Sequence, residues 1–102
     1  MELEWTEPAL ADLQAIRDYI GKDSPHYARR FIERVFAAAE KLQDHPLMGR
    51  LVPEADRADV RELIYHGYRV VYRTQANRIQ VLTVLHGRRD LAGRKAKPWD
   101  VV

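Results

Sequence analysis

The chain contains no cysteine and a single serine, Ser24. Without thiols there is neither a disulfide framework nor a thiolate metal site, and the absence fits a reducing compartment. The lone serine stands directly before Pro25, where it reads as a helix cap, so serine-nucleophile hydrolysis is set aside. No apolar run approaches the roughly 20 residues of a membrane span, and the acidic start MELEWTEP lacks the apolar region of a signal peptide. No glycine-rich phosphate loop follows a strand, and no H-E-x-x-H spacing occurs. His26, His45, His66 and His86 are scattered over different predicted elements, whereas a metal site needs three or four converging ligands. No metal, no cofactor and no membrane contact are expected, and the expected location is the cytoplasm.

What is present suits one globular domain, residues 1–102: the 102 residues are 46% hydrophobic and 31% charged. The net charge of +2 is unevenly spread. Residues 1–50 hold 7 Lys/Arg against 9 Asp/Glu, and residues 51–102 hold 10 against 6. A basic second half points to an anionic partner, but the excess is too small to argue duplex binding, and no specific DNA binding by this chain alone is expected.

Residues Met1 to Trp5 suit a short edge strand. Thr6 and Pro8 open a helix whose apolar positions Leu10, Leu13, Ile16 and Ile20 recur at helical spacing, with Gly21 as its stop. Ser24-Pro25 starts a second helix, with Phe31, Ile32, Val35, Phe36 and Leu42 along one stripe. The short connection makes the two an antiparallel hairpin. Residues 45–59 read as a loop. Strands follow at Val60–Tyr65, Tyr68–Arg73 and Arg78–His86, the first two joined by a turn at His66-Gly67. The expected fold is α+β: an N-terminal strand and a two-helix hairpin packed on an antiparallel sheet, in the order β-α-α-β-β-β, with a basic tail over 91–102 that is either flexible or docked. Trp99 in that tail is read as a docking residue.

Strict alternation assigns Leu63, Tyr65, Tyr68, Val70, Tyr72, Ile79, Val81, Thr83 and Leu85 to the face that meets the helices. It leaves Glu62, Ile64, Arg69, Val71, Arg73, Gln80, Leu82, Val84 and His86 on the other. That second face is too apolar for open solvent, so the tail or a partner is expected across Val71, Leu82 and Val84. The stretch LHGRRD, from Leu85 to Asp90, ends the longest apolar run in two adjacent arginines. Two explanations stand. His86, Arg69, Arg73, Arg88 and Arg89 can supply the acid, base and cations of metal-free RNA cleavage. Alternatively the arginines pair with Glu62 and Asp90 and only edge the sheet. Asp12 with Glu7, and Asp18 with Asp23, fall on a predicted solvated helix face and are not read as a catalytic pair.

The stretches WTEPALADLQAIRDYI, HPLMGRLVPEADRADVRELIYHGYRVVYR and IQVLTVLHGRRD, taken in this order, resemble the RelE/ParE superfamily of bacterial toxins, and its ParE branch in particular. The resemblance covers residues 3–90. It rests on W-T with A-x-x-D-L (Ala9, Asp12, Leu13), P-x-x-G-R (Pro46, Gly49, Arg50), V-R-E-L with Y-R-V-V-Y-R, and H-G-R-R-D. It implies a toxin of a type II toxin–antitoxin pair, neutralised by a ParD-like antitoxin. RelE-like members cut mRNA on the ribosome with a basic cluster and a late tyrosine or histidine, and this chain has no tyrosine after Tyr72. ParE-like members lack that set and act on DNA gyrase by binding, so growth arrest without catalytic residues is expected. In that reading Arg88, Arg89, Arg94 and Lys95 bind the target, and Arg69, Val71, Arg73, Leu82 and Val84 receive the antitoxin. If the protein is instead a metal-independent endoribonuclease, His86, Arg69 and Arg73 are its catalytic candidates. A third possibility is a non-toxic relative that only binds its antitoxin.

Overall fold

The computed structural model describes residues 1–87, 91, 93 and 96–100. Strand β1 (Glu2–Trp5) leads through Thr6 into helix α1 (Glu7–Gly21). Helix α2 (Pro25–Glu40) follows and ends in a single 3-10 turn, Lys41–Gln43. Four strands follow among the described residues: β2 (Arg50–Leu51), β3 (Val60–Tyr65), β4 (Tyr68–Thr74) and β5 (Arg78–His86). They form one sheet in the order β1-β5-β4-β3-β2. The two-residue β2 lies inside the stretch expected to be loop.

Local chemistry explains the helix starts. The Thr6 hydroxyl accepts the Ala9 N–H at 3.4 Å and the Ser24 hydroxyl accepts the Tyr27 N–H at 3.1 Å, while Pro8 and Pro25 occupy first-turn positions that need no donor. Gly21 does not end α1 by turning left-handed. It stays helical, and the N–H groups of Asp23 and Ser24 fold back onto the Ile20 carbonyl, both at 3.1 Å. At the β3–β4 turn, by contrast, His66 and Gly67 have φ of 46° and 83°. That is the left-handed pair a two-residue hairpin requires.

The sheet departs from expectation in two places. First, it is mixed: β1 sits at the edge as expected but runs parallel to β5, from Glu2 opposite Arg78 to Trp5 opposite Val81. A parallel neighbour needs a long crossover instead of a tight turn, and here the helices and the other three strands lie between the two. Four residues without an adjoining hairpin carry no signal for that choice.

Second, β5 carries a bulge. Val71 lies opposite Thr83 but Tyr72 opposite Val81, so Leu82 is one residue extra. Beyond it the alternation slips by one. Val84 joins Ala9, Leu13, Phe31, Val35, Val70 and Val81 in the core under the helices. Leu85 goes to the opposite face with Val71 and Leu82. The sequence-derived faces hold for Val70, Val71, Val81 and Leu82 and are reversed for Val84, Leu85 and His86.

The bulge is held by the two motif residues that precede it in the chain. β1 ends opposite Val81, which leaves the outer edge of β5 open beyond that point. Thr6 closes it: its N–H donates to the Val81 carbonyl at 3.1 Å and its hydroxyl to the same carbonyl at 2.8 Å. Asp12 Oδ2 accepts the Val84 N–H at 3.1 Å and the Thr83 hydroxyl at 2.5 Å. Asp12 is therefore no solvated surface carboxylate but an acceptor for a strand edge that lacks a neighbouring strand. Asp12→Ala orphans the Val84 N–H and is expected to destabilise the fold by about 1–3 kcal/mol. Asp12→Asn keeps an acceptor and should lose less, a ranking that urea titration resolves.

Both faces of the sheet are covered. The helices bury one. On the other, Val52, Val60, Val71, Leu82 and Leu85 pack with Leu91 and Trp99 of the tail. The apolar cover expected over Val71 and Leu82 is thus the C-terminal segment itself, with Trp99 buried as a docking residue.

Candidate functional site

The P-x-x-G-R and V-R-E-L motifs meet around Tyr72. Its hydroxyl donates to the Pro46 carbonyl at 2.9 Å and accepts the Gly49 N–H at 3.0 Å. Burial pushes the phenol above its ordinary range. A Cβ at Gly49 would stand 2.6 Å from that hydroxyl and 2.7 Å from the Glu62 carbonyl, so only glycine fits. Arg61 Nη1 donates to the Gly49 carbonyl at 2.8 Å, and Arg50 Nε pairs with Glu62 Oε2 at 2.7 Å. These residues fasten β2 and its loop to β3.

The same Glu62 centres the arginine face. Arg69 Nε donates to Glu62 Oε1 at 2.5 Å, and its two terminal nitrogens reach both oxygens of Glu54 at 2.8 Å each. The Glu62 side chain is completely buried and that of Arg69 is 6% exposed. The guanidinium holds Glu54 below the usual carboxylate range, mainly through these hydrogen bonds. Arg73 Nη2 donates to Gln80 Oε1 at 2.6 Å, and Gln80 Nε2 donates at 2.9 Å to Glu4 Oε1 on the adjoining edge strand β1. The Arg69–Glu62 pairing is the one the edge explanation foresaw. Glu54 carried no periodic signal, and its part in the network was not anticipated.

The candidate residues separate accordingly. Arg69, Val71, Arg73 and Leu82 share one face as expected. Val71 and Leu82 lie beneath the tail, and both are buried. Val84 is buried on the opposite face, under α1 and α2. His86 has also crossed: opposite Tyr68 in the ladder, it places its ring 5.4 Å from that of Tyr68 on the helix side. The trio His86, Arg69 and Arg73 is not brought together. Arg88, Arg89, Arg94 and Lys95, like Asp90, lie outside the described residues.

A second constellation arises at the end where α1 meets α2 and the β3–β4 hairpin turns. Phe31 packs between Tyr65 and Tyr68, with ring centres 5.6 and 5.0 Å away. Tyr65 also contacts His66 at 4.4 Å. Burial, with Tyr19 and Tyr27 nearby, raises the Tyr68 phenol above its ordinary range. Four of the five tyrosines therefore collect at one end. A cavity of about 220 Å³ opens there between Asp12, Ile16, Tyr19, Tyr68, Val84 and His86. A smaller one of about 80 Å³ lies between Tyr27, Arg30, Phe31, Arg34, Tyr65 and His66. Sequence reasoning missed this cluster. The available signal was positional, since Tyr19 and Tyr27 flank one turn, and Tyr65 and Tyr68 flank another.

Comparison with known proteins agrees with this architecture. Toxin RelE2 of Caulobacter vibrioides is 38% identical over 89 residues, covering 86% of this chain and 97% of that relative. A chain of the chromosomal ParDE toxin–antitoxin system of P. aeruginosa superposes with a TM-score of 0.70 at 28% identity, covering 84% of this chain and 95% of that one. A chain of the RelBE2 toxin–antitoxin complex of Mycobacterium tuberculosis shares the fold at a TM-score of 0.54 and 22% identity, covering 83% and 95%. Residues 3–91 match the family described as the ParE toxin of the type II toxin–antitoxin system parDE. The chain belongs to that family, and so to the ParE/RelE superfamily of type II toxins.

Proposed function

We propose that this protein is a ParE-like toxin that arrests growth by binding DNA gyrase, without catalytic residues of its own, and that a cognate ParD-like antitoxin neutralises it. The observation that carries this reading is the state of the arginine face. Cleavage of a phosphodiester needs cations, an acid and a base converging on one phosphate. Arg69 is instead held between the carboxylates of Glu54 and Glu62, and His86 lies across the sheet from it. The family match and the likeness to the ParDE chain support the same branch.

An antitoxin segment that reaches Val71 and Leu82 has to displace Trp99 and Leu91. The open sheet edge needs no such displacement. β2 pairs with β3 only at Arg61 and Glu62. The hairpin register therefore points the N–H and C=O of Ile64 outward, with no strand beside them among the described residues. Leu47, Met48, Leu51 and Ile64 are exposed along that edge. An extended apolar and acidic segment that folds on binding suits it.

Purified gyrase tests the reading. The toxin should inhibit supercoiling, and added antitoxin should restore it. In induced cells, labelled precursors should report a fall in DNA synthesis before protein synthesis. Ribosome-dependent mRNA cleavage is the second reading, favoured by the His86–Tyr68 contact beside a cavity. Early translational collapse with cut transcripts, and gyrase unaffected, would put it first.

A further inference from the structure

We propose that the tyrosine-rich end of the molecule is the surface that docks on the toxin's protein target, and that it meets an acidic face of that target. The proposal rests on the gyrase reading and adds the contact surface to it.

Tyr65 and Tyr68 are explained by their packing on Phe31, but Tyr19 and Tyr27 are not explained by the fold. They are 69% and 50% exposed. Single exposed aromatics are ordinary, whereas several gathered at one end are a patch. Tyrosine and arginine are the residues that dominate binding energy at protein interfaces, since each offers a large contact area and a polar tip. Here Arg30 and Arg34 line the smaller cavity beside Tyr27, and His66 and His86 rim the two cavities. The carboxylate in the larger cavity, Asp12, is already engaged by Thr83 and Val84. Asp18 and Asp23 are exposed beside Tyr19, at the helix connection, but the cavity next to Tyr27 is lined by Arg30 and Arg34 and by no carboxylate, and that cationic side of the patch selects an acidic partner.

Continuity with the tail supports the same assignment. β5 ends at His86, and the Gly87 N–H donates to the Gly67 carbonyl at 2.7 Å, tying the start of the tail to the hairpin turn at this end. Arg88 and Arg89, the target-binding candidates, follow immediately in the sequence. The exposed tyrosines Tyr19 and Tyr27 stand on α1 and α2, whereas Ile64 belongs to the β3 edge suited to an antitoxin, so different residues serve the two surfaces.

The test uses the full chain carrying Tyr19→Ala with Tyr27→Ala, and separately Arg30→Glu with Arg34→Glu. Exposed positions of this kind leave folding nearly unchanged, which a thermal melt verifies. The tyrosine pair is expected to weaken gyrase inhibition by about thirtyfold or more, with antitoxin affinity held within about threefold of the unsubstituted chain. Unchanged inhibition overturns the proposal, and so does a parallel loss of antitoxin affinity. If the unsubstituted toxin leaves gyrase untouched, the gyrase reading fails on its own, and growth arrest then decides for the surface. Arrest abolished with antitoxin binding intact keeps it as the target face, and arrest that persists removes it. Binding of a single-stranded RNA probe that the same substitutions abolish would overturn the protein occupant.

Discussion

Glu62→Ala is expected to lower stability by about 3–5 kcal/mol, a very large effect for one carboxylate. The side chain is fully buried and joins Arg50 on β2 to Arg69 on β4. Attraction between buried charges roughly offsets the cost of removing them from water, so the intact network adds little net stability. Removing one partner is different, because the remaining charge stays buried without compensation. Arg69 keeps its two bonds to Glu54, which places the expected loss toward the lower bound. For a chain of this size such a loss lowers Tm by more than about 10 °C. The paired change Glu62→Leu with Arg69→Met removes both charges and should recover most of the stability. A single substitution costing under about 1 kcal/mol would mean that water reaches the network.

Trp99→Ala is the second large effect, expected at about 3–5 kcal/mol. Trp99 is 5% exposed and packs with Val71, Leu82 and Leu85. Its loss opens the apolar strip of the sheet to water, so a dye that binds exposed apolar surface should respond along with the melt. Trp99→Phe retains much of the contact and should lose clearly less. This prediction bears on how toxicity is tested. Truncation after Asp90 removes Arg94 and Lys95 together with Trp99, so lost toxicity would mix lost binding with lost stability. Arg88 and Arg89 have to be changed singly, with Trp99 kept.

The motifs that carry the family resemblance are largely fastenings of the fold. Thr6 and Asp12 close the edge of β5, Gly49 leaves room for the Tyr72 hydroxyl, and Arg61 and Glu62 anchor the loop ahead of β2. Recognition by sequence was therefore recognition of a scaffold, which accounts for why it fixed the family but not the target.

Several features were legible in the chain because they depend on neighbours a few residues apart. Thr6-Glu7-Pro8 and Ser24-Pro25 cap their helices by contacts within one turn. His66-Gly67 specifies a left-handed hairpin turn, and the three long strands followed from apolar runs between turn residues. What alternation could not foresee was the extra residue at Leu82. That bulge is held at Val81 by Thr6, 75 positions away, and beyond it the faces of Val84, Leu85 and His86 are reversed. The parallel seat of β1, the separation of His86 from Arg69 and the gathering of four tyrosines were likewise settled only in three dimensions. Each depends on which distant segments come to lie side by side, and the burial of both sheet faces decides that, not any local preference of the chain.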